Sequence, residues 1–276
     1  MALLSPRVAD LLRPMRLLAA LLILAATPVF AAEYTQLDDL AIPGSNRYER
    51  CLSLAHSSPK AAYEAAQKWN AGAPAEHCEA VALTAMKRYT EAATKLDQLA
   101  RDKKNGTPAD RATLFDQAGN AWLLASRAEQ ANDSFTAGLA LAPNNTDLLM
   151  DRARASALHK DWASAEHDLT AALMFQQNNP ELYVLRASAR HALGHKKEAR
   201  ADIDQALHLN PASSEALLER AELEMADGDE ASARADWQAV INTSPNSGDA
   251  KEARAKLAEL EPPSGNAHGP AVPAVR

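Results

Sequence analysis

The sequence has few of the residues that mark several protein classes. Of its 276 residues only 5% are aromatic, 10 are glycine and 15 are proline, which excludes a collagen-like chain and low-complexity disorder. Hydrophobic residues make up 47% of the chain and charged residues 24%, enough apolar material for a packed fold. Because alanine is abundant while aromatic and β-branched residues are few, the composition favours closely packed helices over a β-sandwich.

The apolar run near the start of the chain is too short to be a typical membrane span. Three arginines precede this run, which extends from Leu17 to Ala26, and the small-residue cleavage signal Val29-Phe30-Ala31 follows it. Only 16 uncharged residues separate Arg16 from Glu33, and Pro28 interrupts them, whereas a spanning helix needs about 20 apolar residues. We interpret residues 1–31 as a secretory signal peptide, with an uncleaved anchor as the alternative and Met15 as an alternative start. The mature chain is then expected to have no integral membrane span and to be exported to the periplasm or cell envelope.

The charge balance argues against nucleic acid as a partner. Residues 1–31 carry three arginines and one aspartate, so their removal changes the formal net charge from −7 to −9. A duplex-binding domain needs a basic stripe that displaces counterions from phosphates, and the sequence contains none.

The two cysteines, Cys51 and Cys78, are the only ones in the chain. An exported protein meets an oxidising compartment, where an even cysteine count favours a disulfide. The alternative is two buried thiols that act as small hydrophobic residues.

An internal repeat organises most of the chain. Turn-like clusters of Asn, Pro and Ser recur at a spacing that fits four registers of 34 residues, 112–145, 146–179, 180–213 and 214–247. Positions are numbered as offsets from 1 at the first residue of each register. Small residues then occupy offset 8, namely Gly119, Ala153, Ala187 and Ala221. Large residues occupy offset 24, namely Phe135, Leu169, Ile203 and Trp237. Antiparallel helices approach closely where small side chains meet larger ones, so each register predicts a pair of helices.

Residues that favour helix ends support this division. Gly194 and Gly228 fall where the first helix of a pair should stop, because glycine readily adopts the left-handed conformation. At the start of the first register, Thr107, Pro108 and Asp110 predict an N-cap, a proline at the first helical position and an acid near the positive helix end.

These recurring offsets resemble the tetratricopeptide repeat family over residues 112–247. The resemblance implies an all-α solenoid of stacked helix-turn-helix repeats, wound as a right-handed superhelix, whose concave groove binds an extended or helical peptide segment. The sequence departs from the family pattern at offset 7, usually leucine, where it has Ala118, Arg152, Arg186 and Arg220. It also departs at offset 11, where Trp122 gives way to Ser156, Arg190 and Glu224.

Around the four repeats, assigned to residues 105–247, the sequence predicts weaker elements. Before them we expect a flexible N-terminal segment at 32–45 and two degenerate helical repeats at 46–104. After them we expect a capping helix at 248–261 and a disordered tail at 262–276. In this register Cys51 and Cys78 lie near offsets 9 and 6 of neighbouring first helices, so a bridge between them would join the two degenerate repeats.

No catalytic or metal-binding arrangement emerges from the sequence. His191 and His195 have helical i, i+4 spacing, but Gly194 lies between them and no third ligand is indicated, so we interpret them as solvated histidines. The chain also lacks a Gly-x-Ser-x-Gly elbow, a glycine-rich phosphate loop and a His-Glu-x-x-His helix. We therefore expect no enzyme activity, no metal and no cofactor.

The arginines Arg152, Arg186 and Arg220 recur at one offset in three consecutive registers. We interpret them as structural, with stems that cover apolar surface and guanidinium groups that pair with nearby acids such as Asp151 or Glu219. Direct contact with a ligand is the alternative.

The resemblance also implies which residues line the groove, at offsets 5, 6, 9 and 12 of each first helix. They are Asp116, Gln117, Asn120, Leu123, Met150, Asp151, Arg154, Ala157, Val184, Leu185, Ser188, His191, Leu218, Glu219, Glu222 and Met225. Some family members hold a ligand's terminal carboxylate with lysine at offset 5 and asparagine at offset 9, but here only Asn120 fits and Asp116 replaces the lysine. The mixture of acidic and apolar groups favours an amphipathic or extended segment that carries basic residues.

We therefore expect a non-enzymatic scaffold for protein–protein interaction whose partner is another protein or peptide. The alternative is an accessory subunit docked permanently on an envelope export, polysaccharide or pilus machine. An open groove with exposed Met150, Leu185 and Leu218 would favour peptide capture, while a large apolar patch on the convex side would favour docking.

Overall fold

The computed structural model describes residues 47–69 and 72–260, and within these ranges the chain forms thirteen α-helices and no strand. The signal peptide, the segment 32–45 and the tail 262–276 lie outside the described residues. The helices are α1 (Arg47–Ser57), α2 (Pro59–Lys68), α3 (Ala73–Ala85), α4 (Tyr89–Arg101), α5 (Pro108–Leu124), α6 (Ala128–Leu141), α7 (Thr146–Leu158), α8 (Trp162–Leu173), α9 (Pro180–Ala192), α10 (Lys196–Leu209), α11 (Ser214–Asp227), α12 (Glu230–Thr243) and α13 (Gly248–Glu259).

The helices form two compact units. The first contains α1 to α8 and ends at Gln177, and the second begins at Asn178 and contains α9 to α13. Within each unit consecutive helices pack as pairs, α5 with α6 and α7 with α8 in the first, α9 with α10 and α11 with α12 in the second. The architecture is an all-α solenoid of helical repeats, as the sequence predicts.

Small and large residues make the helix pairs fit together. The side chains at offsets 8 and 24 are buried in all four registers, as the alternation predicts. The tightest approach is at Gly119 of α5, where an added Cβ would lie 2.4 Å from Cε1 of Phe135 in α6. Only a glycine allows this ring to lie directly against the helix backbone.

The first helices of the later repeats begin at N-caps spaced 34 residues apart. Asn145, Asn179, Ser213 and Ser247 precede α7, α9, α11 and α13, and each side chain accepts a backbone N–H of the first turn. Ahead of α5, Thr107 and Asp110 form a reciprocal capping box, with 2.8 Å from Thr107 N to Asp110 Oδ2 and 3.3 Å from Asp110 N to Thr107 Oγ1. Such caps satisfy donors that a helix start otherwise leaves unpaired.

The first helix of each pair ends with a left-handed residue at offset 15. Gly194 and Gly228 have φ of 83° and 84°, as the sequence predicts. The structure adds Ser126 and Lys160 at the equivalent positions, with φ of 59° and 61°. The turn geometry is therefore kept in all four registers although two of them lack the glycine that adopts it without strain.

A disulfide joins the first two helix pairs. Cys51 of α1 and Cys78 of α3 are bonded, with their Cα atoms 6.1 Å apart. Both belong to a buried cluster that also contains Tyr48 and Trp69. The covalent link thus lies inside the packing between the two degenerate repeats.

The last helix covers the apolar end of the second unit. Ala250 and Ala253 of α13 are buried, and Leu257 and Leu260 pack on the cluster that contains Trp237. A terminal helix of this kind shields a repeat face that would otherwise be exposed to water. Among residues 47–69 and 72–260 no helix is long and apolar enough to cross a membrane.

Candidate functional site

The candidate binding surface is the set of side chains at offsets 5, 6, 9 and 12 of the first helices, here called the first-helix face. In the first unit it comprises Asp116, Gln117, Asn120 and Leu123 of α5 with Met150, Asp151, Arg154 and Ala157 of α7, of which Leu123 and Ala157 are buried. Met150 is partly exposed, whereas Asp151 and Arg154 are 5% and 2% exposed.

The charged residues of this face pair with one another across neighbouring repeats. Asn120 Nδ2 donates to Asp151 Oδ2 at 2.8 Å, and Arg154 forms an ion pair with the other oxygen of the same carboxylate. Expecting Asp151 and Arg154 to line an open groove is therefore wrong. They are buried because they satisfy each other, and breaking a buried pair leaves an uncompensated charge.

Asp116 lies beside this pair, and its pKa is raised well above the usual range. Burial is the main cause, and the negative charges of Asp151 and Asp147 add to it, while Arg154 acts in the opposite direction. Burial and the charge of Asp151 also raise the pKa of Asp147. The group at the family's lysine position is thus an acid that tends to retain its proton.

The second unit contains an equivalent link between first helices. Ser188 Oγ of α9 donates to Glu219 Oε2 of α11 at 2.8 Å, and His191 Nδ1 lies 3.1 Å from Glu219 Oε1. Ser188 and Glu219 are separated by 31 residues, as are Asn120 and Asp151 in the first unit. Offset 9 of one first helix therefore meets offset 6 of the next in both units.

Apolar residues of the second unit divide into buried and accessible ones. Val184 and Leu185 of α9 are 9% and 6% exposed, so the exposed Leu185 that would favour peptide capture is not found. Leu218 and Met225 of α11 are only partly buried at the edge of the core. Glu222, also on α11, is paired with Lys256 of α13 at 2.7 Å.

The three recurring arginines pair with residues that the sequence analysis overlooked. Arg152, Arg186 and Arg220 contact Asp168, Asp202 and Asp236 in bidentate pairs, with N–O distances of 2.6 to 2.9 Å. The structural interpretation is right, but Asp151 and Glu219 are the wrong acids. Each true partner lies 16 residues further along the chain, on the second helix of the same repeat. Aspartate recurs at offset 23 in these three registers, and this pattern in the sequence could have predicted the pairing.

The interpretation of both histidines as solvated is wrong for His191, whose side chain is 9% exposed and contacts Glu219. His195 is exposed and lies after Gly194 at the N-cap of α10. Among the described residues no group of three or more His, Cys, Asp and Glu side chains is placed to hold a metal ion.

Known proteins similar to this chain are found among solved structures. No protein-family model matches the chain, and no curated protein matches it significantly. Solved structures do: MamA residues 41 to the end from Desulfovibrio magneticus RS-1 is 16% identical, with 70% of this chain and 99% of that chain covered and a TM-score of 0.53. TTC0263, a thermophilic TPR protein from Thermus thermophilus, is 19% identical, with 67% and 96% covered and a TM-score of 0.53.

A third similar structure is YrrB, described as a TPR protein with an unusual peptide-binding site. It is 17% identical to this chain, with 72% of this chain and 98% of YrrB covered and a TM-score of 0.51. These likenesses establish the fold. The chain has the fold of tetratricopeptide repeat proteins.

Proposed function

We propose that this chain is a non-enzymatic scaffold that binds an extended or helical segment of another protein on its first-helix faces. The observation that carries the proposal is that these faces leave Met150, Leu218 and Met225 partly exposed beside acidic groups. Flexible methionine side chains suit a surface that accommodates an apolar segment. The described peptide-binding site of YrrB, which has the same fold, supports this assignment.

We further propose that the protein works in the periplasm or cell envelope. Residues 1–31 have the charge and hydropathy pattern of a secretory signal. The Cys51–Cys78 disulfide agrees with an oxidising compartment. Partner binding there is non-covalent. A surface already ordered by repeat packing reduces the entropy lost when a flexible segment binds, so modest contacts suffice.

The partner segment is expected to combine apolar and basic residues. Asp147 lies three residues before the partly exposed Met150 on α7, and Glu222, which also pairs with Lys256, lies three residues before Met225 on α11. Basic side chains of a partner would complement these acids, while its apolar side chains would contact the methionines.

Affinity purification from envelope extract tests the proposal, with the exported chain as bait. A face variant, Met150→Gln with Met225→Gln, should lose the captured protein because both apolar contacts are removed. A matched variant with His208→Gln, an exposed position on α10, should retain it. Both variants are compared at equal thermal stability, and unchanged capture by the face variant would contradict the proposal.

The second candidate function is permanent docking on an envelope machine, and one observation favours it. Met174 and Phe175, in the turn after α8, are 72% and 55% exposed, which is unusual for large apolar side chains. A Met174→Ser, Phe175→Ser bait separates the two candidates. Loss of the partner in this variant, with capture intact in the face variant, would favour docking.

A further inference from the structure

Asn105 lies in the connection between α4 and α5 and is the one asparagine of the chain that is followed by glycine. Its side-chain Nδ2 donates to the carbonyl oxygen of Leu99 at 3.1 Å, and its backbone N–H donates to the carbonyl oxygen of Asp102 at 3.1 Å. The last carbonyls of a helix have no partner within the helix. Asn105 therefore folds back on α4 and caps its C-terminal end.

A second side chain completes this end of α4. Arg111 of α5 donates its Nε–H to the carbonyl oxygen of Ala100 at 2.7 Å. The capping box of Thr107 and Asp110 follows directly and begins α5. The degenerate repeats are thus connected to the four regular repeats through two neighbouring caps, one that ends α4 and one that starts α5.

Gly106, the next residue, is placed to react with the Asn105 side chain. It is exposed and has a φ of 94°, a conformation that glycine adopts without strain. Among the residues that the structure describes, no group accepts the Gly106 N–H, so no hydrogen bond holds this backbone nitrogen. Because glycine has no Cβ, it also hinders the approach of the preceding side chain least.

The reaction between these two residues needs only water. The backbone nitrogen of Gly106 attacks Cγ of Asn105, so that a C–N bond forms and a succinimide ring closes. The Cγ–Nδ2 bond breaks, and the proton of the Gly106 amide leaves with Nδ2 as ammonia. Water then opens either carbonyl of the ring and gives aspartate or isoaspartate, with no oxidation or reduction.

We propose that Asn105 is a self-modification site whose conversion to aspartate or isoaspartate opens the C-terminal end of α4. A carboxylate has no N–H to donate, so the carbonyl of Leu99 loses its partner. The new negative charge also lies at the negative end of the helix dipole and near Asp102. Exposed Lys103 and Lys104 offset part of this repulsion, so the lost donor is the larger effect.

The two products differ in how far their effect extends. Aspartate keeps the normal main chain, so the capping box ahead of α5 stays in place. Isoaspartate leads the main chain through the former side-chain carbon, which adds one backbone atom ahead of Thr107. The bond from Thr107 N to Asp110 Oδ2, 2.8 Å long, must then shift, and the start of α5 is loosened as well.

Two other asparagines serve as controls within the same molecule. Asn144 and Asn246 are exposed, whereas Asn105 is only partly exposed. They are followed by Asn145 and Ser247, whose Cβ atoms hinder the attack. Exposure alone would make Asn105 the slowest of the three, while the freedom of the following nitrogen makes it the fastest.

Peptide mapping by mass spectrometry tests the reaction. The purified, oxidised chain is incubated at mildly alkaline pH, and conversion at each asparagine is followed with time. Asn105 should convert faster than Asn144 and Asn246, and its rate should fall at mildly acidic pH because the attacking Gly106 nitrogen must lose its proton. Conversion of Asn105 at the same rate as these controls, or more slowly, would overturn the proposal.

Amide hydrogen exchange tests the structural effect. In Asn105→Asp, peptides that contain the last turn of α4 should lose protection by about two- to tenfold, the contribution of one hydrogen bond. The matched variant Asn144→Asp makes the same chemical change elsewhere and should leave α4 unchanged. Equal protection of α4 in Asn105→Asp and wild type would overturn the proposal. If Asn105→Asp does not fold, the converted fraction of aged wild-type chain, isolated by ion exchange, is measured instead, and the same two outcomes decide.

Discussion

Gly119→Ala gives the sharpest test of how the repeats pack. The added Cβ would lie 2.4, 2.6 and 2.7 Å from Cε1, Cζ and Cδ1 of Phe135. Carbon atoms in contact normally lie about 3.5–4.0 Å apart, so the ring would have to move by about 1 Å. Phe135 is 0% exposed and surrounded by packed side chains, which leaves it no free space.

The expected magnitude is a difference between two opposing effects. Alanine is favoured over glycine inside a helix by about 1 kcal/mol. Overpacking of a filled core costs about 1–3 kcal/mol, and so close a contact belongs at the upper end. We therefore expect Gly119→Ala to lower the free energy of unfolding by about 2 kcal/mol.

Urea unfolding followed by far-UV circular dichroism measures this change, with midpoints compared at equal slopes. The control is Gly248→Ala at the start of α13, where an added Cβ would meet nothing within 4 Å, so no loss is expected. Adding Phe135→Leu to Gly119→Ala reproduces the Ala153 and Leu169 combination of the next repeat and should restore part of the stability. A Gly119→Ala variant as stable as wild type would refute the packing argument.

Three further outcomes follow from the contacts. Lys160→Gly should raise the free energy of unfolding by about 1 kcal/mol, because a left-handed residue other than glycine is strained. For the same reason Gly194→Ala should lower it, and thermal melts measure both changes. Arg152→Ala should lower the free energy of unfolding by about 3 kcal/mol, because it leaves the buried carboxylate of Asp168 without its bidentate partner. The double variant Arg152→Ala, Asp168→Leu should lower it by less, and the midpoints of urea unfolding measure the difference. Because the pKa of Asp116 is raised, the folded chain retains a proton that the unfolded chain releases, so the free energy of unfolding falls as the pH rises above about 4. The variant Asp116→Asn should flatten this slope in urea unfolding measured over a pH series, and an unchanged slope would contradict the cause given.

Much of the fold could be predicted from the sequence because its determinants are local or periodic. The small residues at offset 8, the large ones at offset 24 and the glycines at offset 15 all follow from the geometry of one helix pair, which every repeat uses again. The left-handed Ser126 and Lys160 escaped notice, since neither residue type signals that conformation.

The binding surface was harder to predict because it depends on how neighbouring repeats meet. Asp151 and Arg154 have the composition of a partner-facing surface, yet they are buried in a pair with each other. His77 of α3 is a second example, because its contacts with Tyr48 of α1 and Gln117 of α5 arise only from the packing of the three helices. Periodicity identifies positions, while stacking decides which of them stay accessible.

The arginine–aspartate pairs have a consequence for how the chain can change in length. Because both partners belong to one repeat, as in Arg152 with Asp168, deleting or duplicating a whole 34-residue module removes or adds the two charges together. The same cut would separate Asn120 from Asp151, whose bond depends on the neighbouring module. Adding or removing a module therefore keeps these arginine–aspartate pairs complete, while the hydrogen bonds between modules depend on which neighbours meet.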